Sequence, residues 1–290
     1  MKWYHIAFVF DNVSRNQSIY LNGELENSRT AASFYLGSNG NLTFGTSLLS
    51  TYTCYFDGLL DQLYYTNRVK TAAEILDDAT LTLYFSFDNG SVYDSGPLRI
   101  NGSLFGSTNI VTGRMGDALQ LGLSLGSYFR VGGLVLLGTS NQTYSMSLWI
   151  KPAIINTSTV IHVSQGSNGF GGWCVGMLGL SSSGQLIAFS HSGGLISAAG
   201  PMLQANIWTH ASVTYSISNG LRLYINGTLY TSTIPFSYLA SSRLNYLFLG
   251  NPLTGTGCSG KHGQYVGVVD EFRLYSRELS ASDVRILAQT

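Results

Sequence analysis

The chain contains one passage twice, and this repeat limits what the chain can fold into. A Trp-x-His motif, an alternating apolar run and an Asn-Gly pair occur at residues 3–23 and again, as WTHASVTYSISNGLRLYING, at residues 208–227. A second passage, residues 55–76, matches residues 265–287 in the order of its Gly, Asp, Arg and acidic residues. Both pairs are about 205–209 residues apart, which is a repeat of domain size.

The repeat predicts two units, of which the first is incomplete. Residues 1–77 duplicate residues 206–290, whereas residues 81–205 have no earlier counterpart. The sequence therefore predicts the C-terminal half of one domain over 1–77 and a complete copy of that domain over 78–290. We accordingly expect the chain to be truncated at its N-terminus.

The composition excludes several classes of partner. Only 10% of the residues are charged, against about a quarter in typical soluble domains. The 15 basic and 15 acidic residues cancel, so there is no basic field for nucleic acid or for a membrane surface. No apolar stretch approaches the roughly 20 residues of a membrane helix, and we expect no membrane insertion in this segment.

Short runs rich in Val, Ile, Tyr and Phe, such as HASVTY, LRLYI and YSMSLWI, predict a mostly β chain. The pairs Asn22-Gly23 and Asn226-Gly227 predict two-residue hairpin turns, because both positions of such a turn need a positive φ. Helix-capping patterns, TAAE at residues 71–74 and SASD at residues 280–283, predict one helix at the end of each unit. This pattern favours an all-β fold, an antiparallel two-sheet sandwich or jelly roll.

Asn-x-Ser/Thr sequons indicate an extracellular chain. A chain so rich in Asn, Ser and Thr would contain about four by chance, and this one has more. Chance occurrence is the alternative interpretation. No signal peptide precedes the first unit, which again suggests that Met1 is not the natural start. The eight candidate glycosylation sites are Asn12, Asn16, Asn41, Asn89, Asn101, Asn141, Asn156 and Asn226.

The second unit contains an ordered set of segments that point to one family. They are LTLYFSFDNGSVYDSGPLRINGSL, GRMGDALQL, YSMSLWIKP, the WTH…LYING passage and VGVVDEFRLYSRELSASDV. As a set they resemble the laminin G-like branch of the concanavalin A-like lectin/glucanase superfamily. The resemblance implies a concanavalin A-like jelly roll of two sheets, usually found in tandem in extracellular proteins. It also implies carbohydrate or glycoprotein binding, or adhesion, and some relatives carry a structural calcium ion.

Catalysis is not expected. Glycoside hydrolysis needs two carboxylates about 5–10 Å apart across the scissile bond, and glucanases of the superfamily place them on one strand in a Glu-x-Asp-x-x-Glu-like motif. The chain has no such motif, and the adjacent Asp270 and Glu271 would face opposite sides of a strand. We expect His5 and His210 to be packed, hydrogen-bonded residues instead of catalytic bases.

Asp88 and Asp270 match the positions at which calcium-bearing relatives hold their ion. Calcium prefers hard oxygen ligands and often combines carboxylates with backbone carbonyls. The resemblance therefore implies a structural calcium site at these two residues. The alternative is that Asp270 hydrogen-bonds a turn and that Asp88 begins the turn of the FDNG segment.

The three cysteines fit the predicted organisation. Cys54 and Cys258 occupy the same region of the repeat. We therefore expect a disulfide between Cys258 and Cys174, with the partner of Cys54 in the missing half. Such a bridge would stabilise the domain by about 4 kcal/mol in the chain-entropy model. The alternative is three free thiols in a cytosolic chain, against which the sequons argue.

A ligand surface is predicted where aromatic side chains meet Gly-rich loops. The candidates are Trp173 in the loop SQGSNGFGGWCVG, His191 in the loop SHSGG, and Tyr265 at the end of the loop GTGCSGKHGQY. The alternative is that these segments are ordinary strand connections and that Trp173 is a core residue.

The sequence thus predicts a non-catalytic extracellular module, secreted or at a cell surface, that binds carbohydrate or a glycoprotein. A structural spacer within a larger surface protein is the first alternative, favoured by a concave face without exposed aromatic residues. A glycosidase is the second, favoured by paired carboxylates on that face.

Isolated residues 1–77 should aggregate or dimerise, because half a sandwich leaves strand edges unpaired. Size-exclusion chromatography with light scattering on this fragment is the measurement. A soluble, monodisperse monomer would contradict the predicted domain organisation.

Overall fold

The computed structural model describes residues 3–35, 42–45, 55–122, 124–250, 258–260 and 263–289. The chain divides into two compact units, Met1–Thr80 and Leu81–Thr290. The division falls three positions after the predicted boundary at residue 77, because the helix that ends the first unit continues to Thr80. That the first unit is half of a larger domain stays a prediction.

The first unit contains a three-stranded antiparallel sheet and one helix. One face of its first strand is open to solvent, with Ile6 56% and Phe8 78% exposed. The matching positions of the second unit, Ala211 and Val213, are buried. The elements are β1 (Ile6–Asp11), β2 (Asn16–Leu21), β3 (Glu24–Thr30) and α1 (Ala72–Thr80).

The second unit is almost entirely β, with single 3₁₀ turns at Asp88–Gly90 and Leu136–Gly138. Its elements are β4 (Leu81–Phe85), β5 (Ser103–Phe105), β6 (Asn109–Thr112), β7 (Asp117–Leu121), β8 (Tyr128–Leu134), β9 (Tyr144–Pro152), β10 (Ser158–Ser164), β11 (Cys174–Leu180), β12 (Gln185–His191), β13 (Leu195–Met202), β14 (Thr209–Ser216), β15 (Gly220–Ile225), β16 (Thr228–Ser232), β17 (Asn245–Leu249), β18 (Gly267–Tyr275) and α2 (Ala281–Leu287).

Two antiparallel sheets form the sandwich. A seven-stranded sheet has the order β13-β12-β11-β10-β17-β8-β5, and an eight-stranded sheet has the order β16-β15-β14-β9-β18-β7-β6, with β4 also paired to β18. In the middle of each sheet, pairs such as β10-β17, β14-β9 and β9-β18 join strands that are distant in the chain, as in a jelly roll. The all-β, two-sheet fold predicted from the sequence is therefore confirmed.

The core lies between the two sheets because alternate residues of each strand point inward. In β9 the inward residues are Tyr144, Met146, Leu148 and Ile150, all at most 1% exposed. Similar residues from β10, β14 and β17 face them. The serines between the inward residues of β9 lie on the other face of the sheet.

Both predicted hairpin turns form, with matching hydrogen bonds. Asn22 and Asn226 have φ of 50° and 48°, and each is followed by a glycine at positive φ. The Asn22 side chain accepts from His5 N–H at 3.1 Å. The Asn226 side chain accepts from His210 N–H at 3.0 Å. The sequence repeat is therefore also a structural repeat.

The predicted helix caps also recur in both units. Ser280 and Asp283 form a capping box at the start of α2, and Arg277 binds the Asp283 carboxylate at 2.6 Å. Thr71 and Glu74 make the same reciprocal bonds before α1, and Arg68 binds the Glu74 carboxylate. Each cap satisfies backbone N–H groups that a helix start leaves unpaired.

Of the helices in the described ranges, none is both long and apolar enough to cross a bilayer.

The Asn226→Ala variant should lower the free energy of unfolding of the second unit by about 1–2 kcal/mol, because alanine is disfavoured at this φ and the bond to His210 N–H is lost. Asn226→Gly tolerates the φ and should cost less than Asn226→Ala. Urea unfolding of the full chain, made in a host that does not N-glycosylate, measures both. Equal stability of Asn226→Ala and the native protein would show that the turn does not depend on Asn226.

Candidate functional site

The last strand of the sandwich contains a β-bulge beside a buried carboxylate. The register of β18 against β9 shifts between Asp270, opposite Trp149, and Arg273, opposite Ser147. Glu271 lies within this step and has φ of 54°. On the other edge of β18, residues before the bulge pair with β7 and residues after it pair with β4. Asp270 therefore lies at the point where β18 changes neighbours.

Asp270 and Asp88, the two predicted calcium ligands, bind the same turn. Asp270 Oδ2 accepts hydrogen bonds from the backbone N–H groups of Arg114 at 2.8 Å and Met115 at 3.1 Å. Asp88 Oδ1 accepts one from the backbone N–H of Asp117 at 2.9 Å. The alternative interpretation of Asp270, as a residue that hydrogen-bonds a turn, describes this geometry.

We call residues 113–117 the GRMGD turn. Its two glycines are needed because a side chain at either position would collide with the Asp270 or the Asp88 carboxylate. A Cβ atom at Gly113 would lie 2.6 Å from Asp270 Oδ2. A Cβ atom at Gly116, where φ is 51°, would lie 2.0 Å from Asp88 Oδ1. Glycine therefore allows the backbone to approach both side chains.

Asp270 is a buried carboxylate with one oxygen unsatisfied. The residue is fully buried, and its Oδ1 has no hydrogen-bond partner among the described residues. Burial raises the pKa of Asp270 to about 6, although the backbone N–H groups of Met115 and Arg114 act in the opposite direction. Within the described ranges, no group of three or more His, Cys, Asp and Glu side chains is arranged to hold a metal ion.

The other five carboxylates of the second unit are also bound to protein groups. Asp94 accepts from the backbone N–H groups of Tyr84, Gly96 and Ile100. Asp117 accepts from the backbone N–H of Asn89, and Asp283 binds Arg277 and the backbone N–H of Ser280 at the start of α2. The two glutamates bind side chains: Glu271 those of Tyr84 and Arg273, and Glu278 those of Asn219 and Arg222.

His210 is a packed, neutral residue on the face of β14 that points away from the core. Its Nε2 lies 2.9 Å from Ser147 Oγ, and its ring meets Trp149 edge-on at 5.2 Å. Burial and, to a smaller extent, the nearby Arg273 together lower the pKa of His210 to about 4. In the first unit, partial burial likewise lowers the pKa of His5. The packed, hydrogen-bonded role expected for His210 agrees with the contacts of its Nε2 and its ring, whereas the Nδ1 atoms of His210 and His5 have no partner among the described residues. For His5 the role stays a prediction.

Trp173 and His191, two of the predicted ligand residues, lie together at one end of the seven-stranded sheet. Trp173 immediately precedes β11 and His191 ends β12, and these antiparallel strands bring the rings to 6.2 Å, perpendicular to each other. Both residues are half-buried. Trp173 Nε1 and His191 Nδ1 are buried atoms without a hydrogen-bond partner in the described structure. We call this pair the Trp-His site.

Tyr238 forms the wall of the Trp-His site that faces the core. Its ring lies 6.1 Å from that of Trp173, and the next residue, Leu239, donates its N–H to His191 O at 2.9 Å. Tyr238 was not among the residues predicted from the sequence. The repeat contained a signal, since Tyr-Leu-x-Ser occurs at residues 35–38 and again at 238–241.

A Gly-rich loop and a disulfide border the Trp-His site. Cys174 and Cys258 form the predicted disulfide. A hydrogen bond between His162 Nε2 and Gly169 O, at 3.0 Å, holds the loop before Cys174 against β10. Gly166 has no room for a Cβ atom, which would lie 1.5 Å from Phe170 O. The conformation of this loop is therefore set by glycine and by the bridge.

Tyr265 does not join this site. It is fully buried in the core, and its hydroxyl donates to Val268 O at 3.1 Å. Its side chain fills the sandwich instead of facing a ligand. Residues 255–257 and 261–262 of the loop before it, which include His262, lie outside the described residues, as does Cys54.

The sequons differ in accessibility. Asn16 and Asn156 are half-buried, and Asn156 Oδ1 is buried without a partner among described groups. Asn41 lies outside the described residues. The exposed ones are Asn12, Asn89, Asn101, Asn141 and Asn226.

Comparison with known families gives one match. A laminin G family model, described as concanavalin A-like lectin/glucanases superfamily, matches residues 1–76 and 123–285. No curated protein sequence matches the chain.

Solved structures share the fold. Domain 4 of AbnA, an extracellular GH43 arabinanase from Geobacillus stearothermophilus, in complex with arabinotriose, is 26% identical with a TM-score of 0.57, over 72% of this chain and 98% of that domain. The binding domain of Paraclostridial Mosquitocidal Protein 1 is 19% identical with a TM-score of 0.56, over 73% of this chain and 52% of that one. The receptor-binding domain of botulinum neurotoxin mosaic serotype C/D is 20% identical with a TM-score of 0.55, over 73% and 51%. The chain thus spans about half of each toxin domain.

The raised pKa of Asp270 predicts a specific pH dependence. A carboxyl whose pKa rises from 3.8 to about 6 on folding stabilises the fold below pH 4, and this contribution is lost as the pH rises through 6. His210, with its lowered pKa, acts in the opposite direction, so the comparison must be with Asp270→Asn. In chelator, the stability of Asp270→Asn relative to the native protein should rise by roughly 2–3 kcal/mol between pH 4 and 7.

Urea unfolding of both proteins at several pH values measures this difference. A difference that stays constant from pH 4 to 7 would show that Asp270 is not protonated with a raised pKa in the fold.

Proposed function

Because the chain belongs to the concanavalin A-like lectin/glucanase superfamily, we propose that it is a non-catalytic extracellular module that binds carbohydrate or a glycoprotein. The ligand is held at the Trp-His site. The observation that carries this proposal is the pair of buried, unpartnered polar atoms, Trp173 Nε1 and His191 Nδ1, at the end of the sheet.

These two atoms suit a sugar hydroxyl. The indole Nε1–H only donates, whereas the imidazole Nδ1 donates or accepts according to tautomer. A hydroxyl group both accepts and donates, so a sugar hydroxyl can pair with either atom. Because buried polar atoms without partners destabilise a protein, a ligand that pairs both gains affinity. The indole itself offers an apolar ring to a sugar face.

The neighbouring structures support a carbohydrate ligand. Domain 4 of the arabinanase holds arabinotriose, and its likeness extends over almost the whole of that domain. The two toxin domains, which are less similar in sequence, support the fold alone.

The absence of catalysis in this proposal is supported by how the carboxylates are used. A glycosidase needs one carboxyl to donate a proton and a second to act as base or nucleophile. All seven carboxylates of the second unit instead accept hydrogen bonds from backbone or side-chain groups that hold turns, strands and helix starts. In this proposal the carboxylates stabilise the structure.

An extracellular location is supported by two features. The Cys174–Cys258 disulfide is of a kind that persists in oxidising compartments. Five of the eight sequons present an exposed asparagine, as glycosylation requires.

Calcium at Asp270 and Asp88 is part of the proposal. The fit rests on Asp270 Oδ1, a buried carboxylate oxygen without a donor, which is a hard ligand of the kind that Ca²⁺ binds. Asp270 and Asp88 would hold the ion. Its charge would replace the missing partner of Oδ1 and stabilise the GRMGD turn against β18.

A glycan array with the full chain, in calcium and then in chelator, tests the proposal, followed by titration of the strongest glycan. Trp173→Phe keeps an aromatic ring but loses the N–H donor, and it should weaken binding about tenfold in a chain that still unfolds cooperatively well above the assay temperature. Trp208→Phe is the matched control and should bind as the native protein does.

No binding in either condition would contradict a carbohydrate ligand and favour a structural spacer. Equal binding by Trp173→Phe and the native protein would place the ligand elsewhere. A melting temperature that does not differ between calcium and chelator would remove the calcium site from the proposal.

A further inference from the structure

A second concave feature lies beside the segment that carries Tyr238. It is an open groove of about 530 Å³, a volume within the range of small-molecule sites. We call it the Arg243 groove. Its lining residues are Val135, Gly138, Thr139, Ser140, Ser242, Arg243 and Leu244.

Hydrogen bonds from buried side chains fix the walls of the Arg243 groove. Tyr238 Oη and Asn245 Nδ2, both on fully buried residues, donate to Leu137 O at 2.8 Å and 2.9 Å. The two walls meet at Gly138, where a Cβ atom would lie 1.8 Å from Arg243 O. Buried polar side chains thus fix both walls, so the groove needs little ordering when a ligand binds.

Arg243 is the one charged residue in the lining. It is exposed, and it forms no ion pair with any carboxylate of the described residues. The preceding residue, Ser242, has φ of 56°, which is unfavourable for serine.

The remaining lining residues suit a sugar ring. Thr139, Ser140 and Ser242 have hydroxyl groups. Thr139 Oγ1 donates to Val135 O and Ser140 Oγ accepts from Ala240 N–H, so Thr139 can still accept from a ligand and Ser140 can still donate to one. Val135 and Leu244, 65% and 57% exposed, supply apolar surface. Hydroxyls pair with sugar hydroxyls, and apolar side chains cover the C–H face of a ring.

We propose that the Arg243 groove binds a saccharide that carries a carboxylate. The planar guanidinium of Arg243 accommodates a carboxylate in two parallel hydrogen bonds, while the hydroxyls and the apolar side chains hold the ring. The formal net charge of the chain is zero, so no general positive field attracts anions. The preference for acid therefore depends on this one arginine.

The groove extends the Trp-His site, and the inference rests on the proposed function. The segment from Tyr238 to Leu244 joins the two features. Leu239 N–H binds His191 O at 2.9 Å, and the next residue, Ala240, donates to Ser140 Oγ at 3.0 Å. An oligosaccharide in the Trp-His site thus has a neighbouring groove in which an acidic residue is recognised.

The test compares two trisaccharides of the same linkage, trigalacturonate and galactotriose, which differ in a carboxylate against a hydroxymethyl group. Calorimetric titration of the full chain should show trigalacturonate binding at least about tenfold more tightly. Arg243→Gln should bind the two sugars equally. Arg285→Gln removes an exposed arginine of α2, outside the groove, and should keep the preference.

The outcomes separate this inference from the proposed function. Equal affinities in the native protein, with both weakened by Trp173→Phe, would leave the proposed function standing and overturn the acidic preference. A preference that survives Arg243→Gln would also overturn it. Triglutamate bound as tightly as trigalacturonate would show a site for carboxylates in general and contradict a saccharide ligand. Failure of both sugars to bind, while the strongest array glycan still binds, would overturn the acidic preference alone; absence of any binding on the array would overturn both proposals.

Discussion

The buried carboxylate of Asp270 is the constraint on which the sandwich depends. It lies at the bulge of β18. On one edge of β18 the paired strand changes there from β7 to β4, while on the other edge β18 pairs with β9 on both sides of the bulge. The exchange leaves room for the GRMGD turn, whose N–H groups bind the carboxylate. Asp88 follows the first strand, β4, and holds the same turn, so this short segment adds a second link between the first and last strands, which also pair directly. The unpaired oxygen of Asp270 is a cost of this arrangement, and bound calcium would remove that cost.

Asp270 is buried, whereas a binding site needs an accessible surface. The proposed Trp-His site lies at one end of the seven-stranded sheet. There the disulfide and the glycines fix the loop before Trp173, while Tyr238 and Asn245 fix the neighbouring segment. Rigid scaffolds that carry loops of this kind are typical of binding proteins. The carboxylates of the domain meanwhile accept hydrogen bonds from turns, strands and helix starts, which is the support for a proposal of binding without hydrolysis.

Local patterns in the sequence predicted local structure well. The Asn-Gly turns, the capping boxes and the Cys174–Cys258 pair depend on residues close in sequence or on the repeat, and the structure contains them all. Burial was harder to predict. Tyr265 was expected at a ligand surface because it follows a polar loop, but its ring lies in the core. The N–H partners of Asp270 come from more than 150 positions away in the chain, about half its length, and no local pattern specifies such a contact. Tyr238 could have been found from the Tyr-Leu-x-Ser repeat.

The most direct test of the account is whether a glycan contacts the indole of Trp173. The four tryptophans of the chain each give one indole N–H signal in a ¹H–¹⁵N correlation spectrum, and single Trp→Phe variants assign them. Titration with arabinotriose and with the strongest array glycan should shift the Trp173 signal in a saturable manner and leave that of Trp208 in place. Saturable binding that leaves the Trp173 signal unchanged, or no binding at all, would contradict the Trp-His site as the site of recognition.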